Sequence, residues 1–339
     1  MRKLYDLYGI YLPIFLLILP AVVALRTVAL FTDLADFGHF GNDLLANISA
    51  YIVAAAAFFF LTYTWVGKKN IKLIPSFSSP LNYVPAGLVA LSIAMLGANL
   101  ALEVIGVELA ALSVYERVIS VATPIFALGA VVYFVLASVM IARRSIRRSD
   151  FGIVTLAFIC MYVAYIYFDT SLPINAPTKL TDEIAYLGIA MFFVGETRLS
   201  LGRESWRRYI SFAFIGAILT AYSAIPNLIY YIARVESISL SIYETLLTLA
   251  FFAFITSKIF LTPMLMKDEK SGVVERIIAA AEARAEQLNP APAEEPVEEI
   301  PETVAEDDEN QITITYAEPA EEDATESVGV EEEQEIAQE

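Results

Sequence analysis

Apolar residues in this chain gather into runs of roughly twenty, separated by short polar segments. A helix of that length crosses a hydrocarbon core about 30 Å thick. The runs predict eight transmembrane helices, at 9–31, 43–66, 82–104, 118–141, 151–169, 183–199, 209–233 and 239–263. The fifth and sixth are short and interrupted by polar residues. The first exceeds the apolar core of a signal sequence, about 7–15 residues, so it counts as a membrane helix; cleavage after Val22-Val23-Ala24 would instead leave seven spans. Prolines fall inside spans at 13, 20, 124 and 226, where neighbouring helices re-satisfy the freed carbonyls. Alanines four apart, at 46/50/54 and 213/217/221, predict close helix packing.

Beyond the last span, apolar residues at 273, 274, 277, 278, 281, 285 and 288 keep helical spacing. They predict a short amphipathic cytoplasmic helix over 271–288. From Asn289 the pattern is lost and acidic residues crowd in, so 289–339 is expected to be disordered. The fold class read from the pattern is all-α: a polytopic integral membrane helical bundle with a disordered acidic C-terminal tail.

Composition agrees. Hydrophobic residues make up 57% of the chain and charged residues 18%, where soluble domains run near 45–50% and about 25%. The net charge of −17 divides unevenly: residues 271–339 hold 22 of the 39 acids and two bases, a net −20, while 1–270 carries +3. Neither part has the basic footprint of a nucleic-acid binder.

Basic residues flanking spans are retained on the cytoplasmic side. Sixteen Lys and Arg fall on one side of the eight spans, including the loop clusters Arg143, Arg144, Arg147, Arg148 and Arg203, Arg207, Arg208, which are read as cytoplasmic anchors. Four fall on the other, Arg26, Arg117, Lys179 and Arg234. The expectation is a cell-membrane protein with both termini cytoplasmic and the lipid bilayer as its first partner.

Chemistry is bounded by what the chain lacks. One cysteine, Cys160, forbids an internal disulfide or a cysteine metal site, and one histidine, His39, forbids bis-histidine haem ligation. Asp33, Asp36, His39 and Asp43 are close in sequence but read as solvated loop carboxylates, not a metal centre. No nucleotide-binding or hydrolase motif appears in a suitable setting. The cytoplasmic loops, roughly 67–81, 142–150 and 200–208, are too short for a catalytic domain. No cofactor is expected, and no enzyme activity.

Polar residues inside spans are costly and therefore informative. They form stripes in the outer halves: Asp43, Asn47 and Tyr51; Asn99 and Glu103; Tyr162, Tyr165 and Asp169; Ser223, Asn227, Tyr230 and Arg234; Glu244 and Thr248; and Arg26. One reading is an outward cavity in which Arg26 or Arg234 pairs with Glu103 or Glu244, suited to a small polar or amphipathic ligand. The candidate ligand residues are then Arg26, Asp43, Asn47, Asn99, Glu103, Tyr165, Asp169, Asn227, Tyr230, Arg234 and Glu244. The other reading is an interfacial belt of tyrosines with snorkelling charges. Lys258 reads as snorkelling at the inner end, and Glu196-Thr197-Arg198 as an interfacial anchor.

Three functions remain in order. The first is a non-enzymatic sensor or adaptor with an outward polar cavity and an acidic tail that contacts a cytoplasmic protein. A small-solute or ion transporter or channel using the same stripes is second, and an enzyme acting on lipid within the membrane is third.

Overall fold

The computed structural model describes residues 2–34, 40–41, 44–62, 80–106, 113–142, 152–169, 173, 176–200, 206–233 and 241–269. The helix expected over 271–288 and the tail 289–339 lie outside them. Eight helices follow in order: α1 (Arg2–Asp33), α2 (Leu44–Thr62), α3 (Pro80–Gly106), α4 (Val114–Ala142), α5 (Gly152–Phe168), α6 (Pro177–Ser200), α7 (Trp206–Ala233) and α8 (Ile242–Glu269).

Most ends move by a few residues from the hydropathy reading. The largest changes in the interior of the chain are six residues each: α8 ends six residues after the expected 263, and α6 starts six residues before the expected 183. Its first turns, Pro177-Thr-Lys-Leu-Thr-Asp182, are too polar for a hydropathy window. Pro177 nevertheless suits a first helical position, where its missing N–H is not needed. Lys179 and Asp182 are therefore helical residues, not loop residues.

Partner pairs fix the direction of each helix. Tyr11 of α1 stacks on Phe59 of α2 at 4.9 Å, while Ala29 and Leu30 pack with Ala46, so α1 and α2 are antiparallel. Gly97 faces Ala127 and Gly87 faces Ser138, setting α3 against α4; Gly129 faces Val154 and Gly152 faces Thr197, setting α4 against α5 and α5 against α6. Gly188 meets Gly216 and Gly195 meets Tyr209, so α6 and α7 are antiparallel. Phe15 with Phe214 and Phe31 with Tyr230 make α1 and α7 parallel. Phe192 with Phe254 and Glu196 with Lys258 make α6 and α8 parallel. All eight thus alternate up and down. Below, the far end is where α1, α3, α5 and α7 finish, and the near end is where they begin.

Helices α3, α4, α5, α6, α7 and α8 form a closed ring, each packed on the next and α8 on α3. Helices α1 and α2 pack on each other and on α7 from outside the ring. Helix α7 is consequently the hub, with 72% of its most apolar segment buried against 28% for each of α1–α4. Its Ala213, Ala217 and Ala221 are all buried, and a Cβ at Gly216 would stand 3.0 Å from the Gly188 carbonyl oxygen. The small residues let α6 and α7 approach backbone to backbone. The alanine stripe expected on α2 behaves differently: Ala46 is buried, but Ala50 and Ala54 face outward. The packed face of α2 is Ala46, Ser49, Val53, Ala56 and Phe60, three to four residues apart as one helix face requires.

The middle of the ring is filled by aromatic rings. Phe134 of α4 meets Phe193 of α6 at 5.8 Å, and Phe251 and Phe254 of α8 at 6.0 and 5.5 Å, all edge to face. That geometry sets the positive ring edge against a negative face. The outward surfaces are apolar in the opposite sense: Leu17, Phe58, Leu91 and Leu128 are 74%, 73%, 58% and 67% exposed. A belt of such residues around a bundle far exceeds the apolar patch that a water-soluble surface carries. Several hydroxyls within the helices are tied to their own backbone: Thr27 to the Val23 carbonyl (2.7 Å), Thr123 to Ile119 (2.7 Å) and Thr220 to Gly216 (2.7 Å). That satisfies them without water.

The protein is embedded in a membrane. Six of its helices, all but α5 and α6, are long and apolar enough to cross one. Helix α5 has 17 residues, about 25 Å at 1.5 Å per residue. Helix α6 has 24, about 36 Å, but carries Lys179, Asp182, Glu183, Glu196 and Arg198. Those charges lower its hydropathy, and Lys179, Asp182 and Glu196 among them are met by groups of α5, α7 and α8.

Candidate functional site at the far end

Two helices begin at the far end with the same motif. Before α4, Ser113 and Glu116 form a complete capping box: the Ser113 N–H donates to Glu116 Oε2 (2.8 Å) and the Glu116 N–H to Ser113 Oγ (3.3 Å). Before α8, Ser241 and Glu244 have the same spacing, and the Glu244 N–H reaches Ser241 Oγ at 3.5 Å. The Glu244 carboxylate, however, does not return to the Ser241 N–H. It turns into the ring, where Tyr162 of α5 donates to its Oε1 at 2.5 Å.

Tyr162 is the middle of an aromatic stack. Its ring lies parallel to Tyr165 (centroids 6.0 Å, 10°) and edge-on to Tyr186 of α6 (4.9 Å, 78°). Tyr165 donates to Glu103 Oε2 of α3 at 2.8 Å, and Asn99 Nδ2 donates to Glu103 Oε1 at 2.6 Å, one helical turn away. Thr248 of α8 donates to the Tyr186 hydroxyl at 3.2 Å. Two carboxylates from α3 and α8 therefore sit on the hydroxyls of adjacent stacked rings of α5.

A third carboxylate completes the cluster. Asp182 of α6 accepts from the Ser223 hydroxyl and, at 3.4 Å, from Asn227 Nδ2, both on α7. Arg26 of α1 attracts it across the helix seam. Arg26 is 2% exposed; its Nη2 donates to Thr181 Oγ1 at 3.2 Å, and its guanidinium lies 4.8 Å from the Phe40 ring and 5.4 Å from that of Tyr222. Tyr222 in turn shares a 2.8 Å hydrogen bond with Ser49 of α2. A second base at this end, Lys179, is spent on the end of α5: its Nζ donates to the carbonyls of Tyr167 (3.1 Å) and Asp169 (2.6 Å), where the helix has unsatisfied acceptors. The carboxylates of Glu103 and Asp182 both repel that of Glu244.

Parallel α6 and α8 hold one register throughout. Tyr186 meets Thr248, Phe192 meets Phe254 and Glu196 meets Lys258, each pair 62 residues apart. The offset continues upward to Asp182 and Glu244. Fourteen residues separate the top rung from the bottom on either helix, about 21 Å of rise and nearly four whole turns. The bottom rung is an ion pair, Lys258 Nζ to Glu196 Oε1 at 3.8 Å, with Lys258 also 5.0 Å from the Phe254 ring. Both side chains are buried. Lys258 therefore does not snorkel, and Glu196 is not an interfacial anchor: each has its opposite charge inside the bundle.

Of the candidate ligand residues, the structure brings Asn99, Glu103, Tyr165, Asn227 and Glu244 into this cluster, together with Arg26. The expected pairing of Arg26 with Glu103 or Glu244 does not occur; Arg26 donates to Thr181 and is attracted by Asp182 instead, because α1 packs on α7 outside the ring. Asn47 is exposed and Tyr51 73% exposed on α2, turned away from the packed face. Tyr230 is buried against Phe31 at 5.4 Å, in a small cluster with Ala29 and Leu30. Asp169 is exposed beyond the end of α5, contributing its carbonyl to Lys179. Asp43 and Arg234 lie outside the described residues, as do Asp36, His39, Arg143, Arg144, Arg147, Arg148 and Arg203. Of the remaining basic anchors, Arg208 is exposed but Arg207 is buried. Among the described residues no group of His, Cys, Asp and Glu has the makings of a metal site.

Asp182, Tyr186, Tyr222 and Thr181 are absent from the candidate set. The signal for the first two was present: Asp182, Tyr186, Ile189 and Phe193 share a helical face. The hydropathy boundary at 183 cut it off. Compared with protein-family models, curated proteins and solved structures, the chain matches none; its function has to be argued from these residues.

Proposed function

We propose that the chain is a non-enzymatic membrane sensor or adaptor of the cell membrane, with all eight helices crossing, both termini cytoplasmic and the far end facing outward. The far-end cluster is its ligand site, for a small polar or amphipathic molecule arriving from outside. The acidic tail, 289–339, contacts a cytoplasmic protein. Supporting the crossing of all eight is the strict alternation of helix directions, together with the sixteen-to-four division of Lys and Arg. In this reading α5 and α6 cross as members of the ring, with the apolar Ile153 and the Leu180, Ile184 and Leu187 stripe facing outward.

One observation carries the sensor reading. The polar groups at the far end stop at the aromatic layer of Phe134, Phe193, Phe251 and Phe254. A polar cluster floored by packed rings suits binding rather than conduction. Transport is the second reading, and the ion pair below the floor favours it: Glu196 and Lys258 repeat, on nearly the same helix faces, the positions of Asp182 and Glu244.

Accessibility separates the two. In a chain with Cys160 replaced by Ala, single cysteines at 103, 244, 196 and 258 would be challenged from outside with a membrane-impermeant thiol reagent. Labelling at 103 and 244 with protection at 196 and 258 is the expected result. Labelling at all four would favour transport, and protection at 103 and 244 would overturn the outward site.

A further inference from the structure

We propose that α6 is a conditional span: it crosses the membrane only when α7 and α8 are in place to meet its carboxylates. The inference rests on the eight-crossing reading above and says what makes the sixth crossing possible.

The first ground is length. The stretch of α6 free of charge is 184–195, between Glu183 and Glu196, about 18 Å of helix at 1.5 Å per residue. A hydrocarbon core is about 30 Å thick, and an apolar run of about 10–14 residues does not span it unaided. However α6 slides along its own axis, a carboxylate of Asp182, Glu183 or Glu196 lies in hydrocarbon, where a charged side chain is costly.

The second ground is where the compensation comes from. Asp182 accepts from Ser223 and, at 3.4 Å, from Asn227, both on α7. Arg26 of α1 attracts it as well, but Arg26 itself lies over the ring of Tyr222 on α7, at 5.4 Å. Glu196 has Lys258 of α8 at 3.8 Å. Lys179, by contrast, is met by α5, the helix before it. The acids of α6 therefore look forward along the chain, to the two helices that complete the ring.

The third ground is backbone packing. A Cβ at Gly216 of α7 would stand 3.0 Å from the Gly188 carbonyl oxygen of α6. Lipid supplies no hydrophobic drive between helices, so close approach through small residues and polar contacts is what holds them together. Once packed, α6 turns Leu180, Ile184 and Leu187 outward, the face that lipid accepts. The flanking segments supply the pull. Apolar α5 ends at the far end, the bases Arg203, Arg207 and Arg208 retain the start of α7 on the cytoplasmic side, and α6 is the segment between them.

The test uses the full chain in cells, with Cys160→Ala and one cysteine in a connection of α6. Pro173→Cys lies before the helix and Glu204→Cys after it, and each is challenged from outside with a membrane-impermeant thiol reagent. In the parent, 173 should label and 204 should stay protected. Combining Ser223→Ala, Asn227→Leu and Lys258→Met removes the partners, and labelling at 204 should rise by about fivefold or more. Adding Asp182→Leu and Glu196→Leu removes the orphaned charges too, so labelling at 204 should return to within about twofold of the parent. General misfolding would not be rescued in this way. Protection of 204 in the partner variant, or labelling that persists after the two added leucines, would overturn the conditional crossing and leave eight crossings standing. Labelling of both positions in the parent would show that α6 does not cross, and would remove the eight-crossing reading itself.

Discussion

Replacing Lys258 by Met should destabilise the protein far more than replacing Lys258 and Glu196 together. The two charges are 3.8 Å apart. At an effective dielectric of about 20 their attraction is about 4 kcal/mol, and the Phe254 face 5.0 Å from the ammonium adds about 0.5–2 kcal/mol. Removing one member leaves the other buried and unpaired, which costs about 3–5 kcal/mol. Removing both, as Glu196→Leu with Lys258→Met, exchanges the pair for apolar volume beside Phe254, and is expected to lie within about 1 kcal/mol of the parent. The assay is equilibrium unfolding of the four proteins in mixed micelles with increasing sodium dodecyl sulfate, followed by far-ultraviolet circular dichroism. The coupling energy of the cycle should exceed about 2 kcal/mol. A single Lys258→Met variant within about 1 kcal/mol of the parent, or a double variant that loses the sum of the singles, would show that the pair is not closed inside the bundle.

Gly216→Val should fail to assemble or lose about 3 kcal/mol or more in the same micelle assay, because its side chain would meet the Gly188 backbone rather than a flexible group; Gly106→Val, with open space around it, should be neutral. Among the capping motifs, Ser113→Ala, which removes the acceptor of the Glu116 N–H, should cost about 0.5–2 kcal/mol in that assay.

The helices were legible because lipid imposes a length and a polarity on each crossing, and those survive in any sliding window. The window is blind to a helix whose charges are met by other helices. Helix α6 bears five charges and still runs the length of the bundle, since Asp182 meets α7, Glu196 meets α8 and Lys179 meets α5. Polar stripes found Glu103, Tyr165, Asn227 and Glu244 because their neighbours in sequence are apolar. They found Arg26 as well, but not its partner. Which arginine meets which carboxylate depends on α1 lying parallel to α7, and no local pattern encodes that. The aromatic floor was hidden for the same reason: Phe134, Phe193, Phe251 and Phe254 look like ordinary span residues until three helices bring them together. Asn47 shows the converse error, a polar residue on a span whose packed face lies elsewhere.

The hub position of α7 has a consequence for biosynthesis. It is the seventh helix to leave the ribosome, about 170 residues after α1, an interval on the order of ten to thirty seconds at ordinary elongation rates. Until then α1 and α2 lack the helix they pack on, Arg26 lacks the ring of Tyr222, and Asp182 lacks Ser223 and Asn227. The four ring helices α3–α6 must therefore wait as an open arc, and the last two helices close it. A chain interrupted before Trp206 would not be a smaller version of this protein but an orphaned intermediate, the kind of species that membrane quality control is built to hold or destroy.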